Sequence, residues 1–149
     1  MQADCRTTQL EFQGLGTRRV EGRFDAGRVS SEGGVLLLRE AEAQLGWMAR
    51  FSGCFVDHRR RQRIEHPLET LVAQRIIGLA QGYEDLNDHD ELRDDALMAL
   101  AAGQADLVGS RRRRPQDRGH ALAGKSTLNR LELTPAEASE TDRYKKIVY

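Results

Sequence analysis

The apolar positions of this chain fall into short runs of changing period, and each period names an element. Between residues 9 and 24 they alternate: Leu10 and Phe12 stand either side of Glu11, and Val20 and Phe24 are interleaved with Glu21 and Arg23. With Gly14 and Gly16 between the two runs, the pattern predicts a short N-terminal β-hairpin. From Val35 the spacing lengthens. Val35, Leu38 and Leu45, helped by Leu36, Leu37, Ala41 and Ala43, recur near the helical period, with Gly27 ending the strand, Ser30 or Ser31 as the N-cap and Gly46 as the stop. Trp47, Phe51, Cys54 and Phe55 then follow at i, i+4, i+7 and i+8, which predicts a second helix over 47–55 with its aromatic side in the core.

The clearest helix begins at His66-Pro67. Proline is tolerated at the first helical position, where its missing N–H has no partner to lose. Leu68, Leu71, Val72, Ile76 and Leu79 recur at i, i+3, i+4, i+8 and i+11 and predict a buried central helix over 67–81. Gly82 sits where the left-handed residue after a helix belongs, and Asp94 or Asp95 where an N-cap belongs for a helix over 96–102, which Gly103 ends. Residues 105–109 read as a further turn and 110–124 as an exposed loop. Ser126 reads as the cap of a helix over 127–133, and an Ala/Glu-rich stretch runs from Pro135 to the closing Ile147-Val148-Tyr149. The sum is a mainly α fold: a small helical domain with a short N-terminal hairpin.

Composition changes this picture little. The 149 residues are enough for one domain with a core. Hydrophobic residues make up 39% and charged residues 31%, so part of the surface belongs outside the core or against a partner. A formal net charge of +0 conceals segregation. Arg59, Arg60, Arg61 and Arg63 form one basic cluster, Arg111, Arg112, Arg113 and Arg114 with Arg118 a second, and residues 84–95 an acidic block. A nucleic acid responds to such local fields, not to the net charge. Cys5 and Cys54 are far apart and in no ligand-like spacing, which suggests neither zinc nor a disulfide framework. No apolar run has the length of a membrane span and the N-terminus lacks a signal-peptide pattern, so the expected setting is soluble and cytoplasmic, without a membrane partner.

Among the candidates for chemistry, Asp85, Asp88, Asp90, Asp94 and Asp95 invite a metal reading. Their spacing lacks the glycine and terminal glutamate of a calcium loop, and aspartates at helix starts are explained by capping and by the helix dipole, so no metal ligand and no catalytic residue is assigned. His58, His66, His89 and His120 show no ligand-like spacing and read as turn or cap residues. For Arg59, Arg60, Arg61 and Arg63, phosphate contact and an ordinary solvated surface fit equally. Arg111, Arg112, Arg113 and Arg114 lean toward nucleic acid, because adjacent guanidinium groups repel unless an anion is near. Lys125, Thr127 and Arg130 lie at a helix start, a place that favours a phosphate and equally a packing partner.

Three stretches carry a resemblance. They are Phe24-Asp25-Ala26-Gly27-Arg28-Val29-Ser30-Ser31-Glu32-Gly33-Gly34 with Leu36-Leu37-Leu38-Arg39-Glu40, then Gly82-Tyr83-Glu84-Asp85-Leu86-Asn87-Asp88-His89-Asp90-Glu91-Leu92-Arg93-Asp94-Asp95, and Lys125-Ser126-Thr127-Leu128-Asn129-Arg130-Leu131-Glu132. In this order they resemble the front part of bacterial insertion-sequence transposases of the DDE superfamily, group 1. The resemblance covers about residues 24–132, and together with the pattern above it divides the chain into an N-terminal hairpin segment over 1–23, a helical transposase N-terminal domain over 24–109, an Arg-rich loop over 110–124, and a helix with a truncated tail over 125–149. It implies that the ribonuclease-H-like core with the metal-binding acids lies downstream and is absent here. Magnesium is then the expected cofactor of the full-length family and not of this chain. Transposon-end DNA, further copies of the chain and full-length transposase are the expected partners. The alternatives are a regulatory interaction module and a decayed fragment without function.

Overall fold

A computed structural model describes residues 9–23, 32–133, 139, 141 and 147–148, and among them the chain is mainly helical. The alternating stretch pairs as the sequence predicts. Strands β1 (Gln9–Leu15) and β2 (Arg18–Arg23) form an antiparallel hairpin with Phe12 opposite Val20. Its register slips between Phe12 and Leu15. Gly16 turns the chain at φ 59°, a backbone that glycine adopts without a Cβ penalty. No hairpin residue is buried, so polar bonds hold it to helix α1 (Val35–Leu45). Arg39, only 9% exposed, donates to the carbonyls of Gln13 and of Gly14, the latter at 2.8 Å. The Glu40 carboxylate accepts from the Gln13 amide.

Gly46 ends α1 in the left-handed conformation, its N–H on the Glu42 carbonyl at 2.7 Å. Gly27, Ser30 and Ser31 lie outside the described residues. The next helix, α2 (Trp47–Ser52), is shorter than 47–55 and turns a different side inward. The Glu42 carboxylate accepts from the Met48 amide at 3.0 Å, and Gly53 stops the helix. Met48 and Ser52 are therefore the buried i, i+4 pair, Phe51 is 48% exposed and Cys54 is exposed. Because Cys54 and Phe55 follow the helix instead of extending it, no single aromatic core stripe forms, although half-buried Trp47 and Phe55 each pack against a core cluster. Phe51 and Phe55 meet edge to face, with centroids 5.3 Å apart.

Helix α3 (Leu68–Ala80) is the central helix, with Pro67 as its N-cap and not its first residue. It is buried almost all round: Leu68, Thr70, Leu71, Val72, Gln74, Arg75, Ile77 and Gly78 are inside. Leu79, assigned to the core by spacing, is 47% exposed, and Ile77 takes its place. One side of α3 gives Ile77 to a cluster with Val35, Met48, Leu92, Met98, Ala99 and Leu122. The other gives Leu68, Leu71 and Val72 to a cluster with Ala123, Leu128 and Ile147. Each of the Val, Leu, Ile and Met side chains among them gains roughly 1.5–3 kcal/mol by leaving water.

The short helices α4 (His89–Leu92) and α5 (Ala96–Ala101) follow. Helix α5 closes at Gly103, with the Gln104 amide on the Ala99 carbonyl at 2.9 Å and the Gly103 amide on the Leu100 carbonyl at 3.0 Å. Residues 110–124 differ most from expectation. They are not simply an exposed loop: Ala121, Leu122 and Ala123 run through the core between the two clusters. Three residues are too few to show a period, and the arginines before them dominate the composition. Helix α6 (Lys125–Glu132) then starts two residues before 127, with Gly124 and not Ser126 at its cap position. Near the end of the chain, β4 (Ile147–Val148) pairs antiparallel with β3 (Val56–Asp57), and Ile147 is buried. Among the described residues no helix is long and apolar enough to cross a membrane.

Candidate nucleic-acid interface

Residues 78–95 tie α3, α5 and α6 together. At the end of α3, Gly82 adopts φ 93°, its amide bonds the Leu79 carbonyl at 3.0 Å, and the Tyr83 amide bonds the Gly78 carbonyl at 2.9 Å. This pair satisfies carbonyls that the helix leaves open. The reversal brings the Tyr83 and Glu84 carbonyls over Arg75, whose guanidinium donates to them at 3.0 and 2.7 Å and pairs with Glu132 on α6. The Tyr83 hydroxyl donates to Glu32 at 2.7 Å, and that bond raises the phenol pKa.

Three of the acids, Asp85, Asp90 and Asp95, serve as caps. Asp85 accepts from the backbone and side-chain N–H of Asn87, both at 2.8 Å, opening a 3-10 turn over Leu86–Asp88; these bonds hold its carboxyl below the usual range. Asp95 accepts from the Leu97 and Met98 amides at 2.7 and 2.8 Å, as the N-cap position predicts. Asp90 caps at long range: it accepts from the Lys125 amide at 3.0 Å, so the start of α6 is closed by a residue 35 positions earlier, and this bond lowers the Asp90 pKa. Asp94 faces Nδ1 of His120 at 2.5 Å.

A divalent metal needs several oxygen ligands converging on one point. Asp85, Asp90, Asp94 and Asp95 each engage a different partner, and among the described residues no three His, Cys, Asp or Glu side chains converge in that way.

His89 belongs to the core, not to a turn. It begins α4 but is fully buried against Gly78. Gln74, also fully buried, donates to the Ala123 carbonyl at 2.7 Å and accepts from the Ala123 amide at 3.0 Å. That pairing fixes the orientation of the Gln74 amide, so its second N–H points to His89 Nδ1 at 3.2 Å. Arg75 Nη1, also a donor, lies 3.5 Å from Nε2; a neutral ring accepts at one nitrogen only, and the shorter Gln74 contact favours acceptance at Nδ1. Burial, and then the Arg75 charge, push the His89 pKa down.

The arginines divide into two groups. Arg59 is half-buried and paired with Asp57 at 2.7 Å. Arg60, Arg61 and Arg63 are exposed, the last two in a 3-10 turn. Half-buried Arg112 donates to the carbonyls of Glu65 at 2.7 Å, His120 at 3.2 Å and Ala121. Arg113 donates to the carbonyls of Gln62 and of Ile64, the latter at 2.9 Å, and to the Glu65 carboxylate at 3.3 Å. Arg111 lies 3.9 Å from Asp106, and Arg114 and Arg118 are exposed. The two basic clusters, 47 to 51 residues apart where they touch, therefore meet in space. Under them lies His66, whose Nδ1 is buried without a partner. Burial, then Arg112 and Arg59, lower its pKa to about 4.

At the start of α6, the Lys125 ammonium donates to Asn87 at 2.9 Å and lies 3.4 Å from Asp90. Thr127 is half-buried and Arg130 exposed. The place that helix geometry offers a phosphate is filled by the Asp90 carboxylate. Beside it an open groove of about 650 Å³ runs between 84–87 and α6, lined by Arg75, Asp85, Asn87, Lys125, Asn129 and Arg130. The sequence reading missed Gln74, the core role of His89 and the carbonyl bonds of Arg112 and Arg113. Adjacent Gln74 and Arg75 inside an apolar helix were the available signal.

A family model described as transposase DDE domain, group 1, matches residues 12–148. No curated protein and no solved structure matches.

Proposed function

The chain belongs to the transposase DDE domain group 1 family, and on that premise we propose that it serves transposition by gripping transposon-end DNA and assembling with further copies, without cutting strands itself. The family match carries this reading. Two features support it. Asp85, Asp90 and Asp95 spend their carboxylates on backbone amides at the starts of helices and turns. Exposed Arg60, Arg61, Arg63, Arg111 and Arg114 supply cationic groups for phosphates. The chain's part in the reaction is then binding and positioning, and the magnesium-dependent chemistry belongs to acids outside this arrangement. The test is incubation with duplex transposon ends and magnesium or manganese: salt-sensitive binding without nicking or joining is expected. Metal-dependent nicking abolished by Asp88→Ala would overturn it.

One observation favours a protein partner as well. Leu37 and Leu45 stand 67% and 62% exposed, two turns apart on α1. If the chain regulates full-length transposase as an interaction module, sedimentation will show a complex with it that Leu37→Asp weakens and added duplex does not affect.

A further inference from the structure

Arg112 and Arg113 are tied to the fold, with three of the five N–H groups of each guanidinium already donating. All three nitrogens of each guanidinium already donate: Arg112 to three carbonyls, Arg113 to two carbonyls and a carboxylate. Those bonds span two segments and fix 62–65 beside 112–121. What the two segments present outward is different. Arg60, Arg61, Arg63 and Arg114 are exposed, and among the described residues none of them has a carboxylate partner. Arg118 is exposed, with its Nε on the Arg112 carbonyl at 3.2 Å, and Arg111 is 76% exposed. Of the nearby acids, Asp57 is engaged by Arg59, Glu65 by Arg113, and Asp106 by the Arg111 amide and Ser110, while half-buried Asp117 adds one negative charge beside Arg112. Because Arg112 and Arg113 join the two segments, the arginines without a carboxylate partner, Arg60, Arg61, Arg63 and Arg114, are gathered on segments that lie together, and an anionic backbone would relieve their mutual repulsion. Burial lowers the pKa of His66 most, and the Arg112 and then the Arg59 charge add to the shift.

We infer that Arg60, Arg61 and Arg63 from one segment and Arg111, Arg114 and Arg118 from the other form a single surface for the phosphates of duplex DNA, with Arg112 and Arg113 as positioning residues that hold the two halves in register. The inference rests on the DNA-binding reading and divides its arginines into contacts and clamps. Each contact that neutralises a phosphate releases counterions and adds a slope of about −0.9 in log affinity against log salt.

The test uses the full chain, duplex DNA and three variants. R60Q/R61Q/R63Q and R111Q/R114Q/R118Q should each flatten the salt slope, by about 0.9 for every lost contact, without lowering the melting temperature. Arg113→Lys keeps the charge but loses the planar fork that spans two carbonyls. It should raise amide hydrogen exchange at 60–65 in the free protein and weaken duplex binding roughly fivefold, the cost of ordering side chains that were held before. If wild-type binding to duplex is absent or indifferent to salt, the DNA-binding reading itself falls, and this inference with it. If wild type binds but either triple variant keeps the full slope, or Arg113→Lys binds as wild type does, the composite surface falls and the DNA-binding reading stands. Weakened binding of Arg113→Lys with unchanged exchange would make Arg113 a contact and overturn its positioning role.

Discussion

His89 lies so close to Gly78 that a methyl group placed on Gly78 would stand 2.8 Å from the ring's Cε1. The ring cannot swing aside easily, because Gln74 holds its Nδ1 and the Ala123 backbone holds Gln74.

The first prediction concerns this contact. Gly78→Ala gains up to about 1 kcal/mol in helix propensity and loses about 1–3 kcal/mol to overpacking. The packing loss should win, so that the midpoint of urea unfolding falls with an unchanged slope. A raised midpoint would show that the ring moves freely.

Acid should destabilise the protein through His66. In the unfolded chain a histidine titrates near pH 6.5, whereas folded His66 stays neutral down to about pH 4. Protons therefore favour the unfolded chain. The full contribution is present above about pH 6.5 and is lost as pH falls toward 4, a change of about 3 kcal/mol by linkage. The lowered pKa of His89 acts in the same direction. Denaturation midpoints measured across this range should slope less in His66→Leu than in wild type; equal slopes would refute the assignment.

Burial ranks two leucines of α3 in opposite order to their spacing. Leu71→Ala should cost about 2–5 kcal/mol, because the side chain is fully buried in the second cluster. Leu79→Ala should change stability by less than about 0.5 kcal/mol, as exposed substitutions usually do. Thermal melting of the pair decides it, and similar losses would put Leu79 back in the core.

The capping acids make a further prediction. Asp95→Ala removes an acceptor of two backbone N–H groups and should cost about 1 kcal/mol. Millimolar magnesium should leave the wild-type melting temperature unchanged, since a ligand that binds only the folded state would raise it. A rise that disappears in Asp90→Asn would establish a metal site.

What the sequence made legible was local. The hairpin around Gly16, the stops at Gly46 and Gly82, the cap at Asp95 and the burial of α3 each depend on residues within a turn or two of one another. Asp90 closing α6, Gln74 bonding Ala123 and Arg113 reaching Gln62 and Ile64 join residues tens of positions apart, and no period or cap rule connects them. The acids illustrate both cases: capping was readable for Asp95 and correct for Asp90, but which helix Asp90 caps was not. The basic clusters were readable as charge. Their division into exposed groups and carbonyl-bound ones depends on the carbonyls of 62–65 and 120–121, which only the fold brings beside Arg112 and Arg113.

The Gln74 amide sits opposite Ala123 as a neighbouring strand would, using one donor and one acceptor on a backbone unit 49 residues away. Closing a loop of that length costs roughly 3 kcal/mol in chain entropy. During synthesis α3 leaves the ribosome long before residue 123 does. Until then Gln74 keeps its hydrogen bonds with water, and the trough between the two apolar clusters stays open. The arrival of one short apolar triplet seals that trough and dries the glutamine in the same event, so this protein should acquire its core late and at once, and not helix by helix as it emerges.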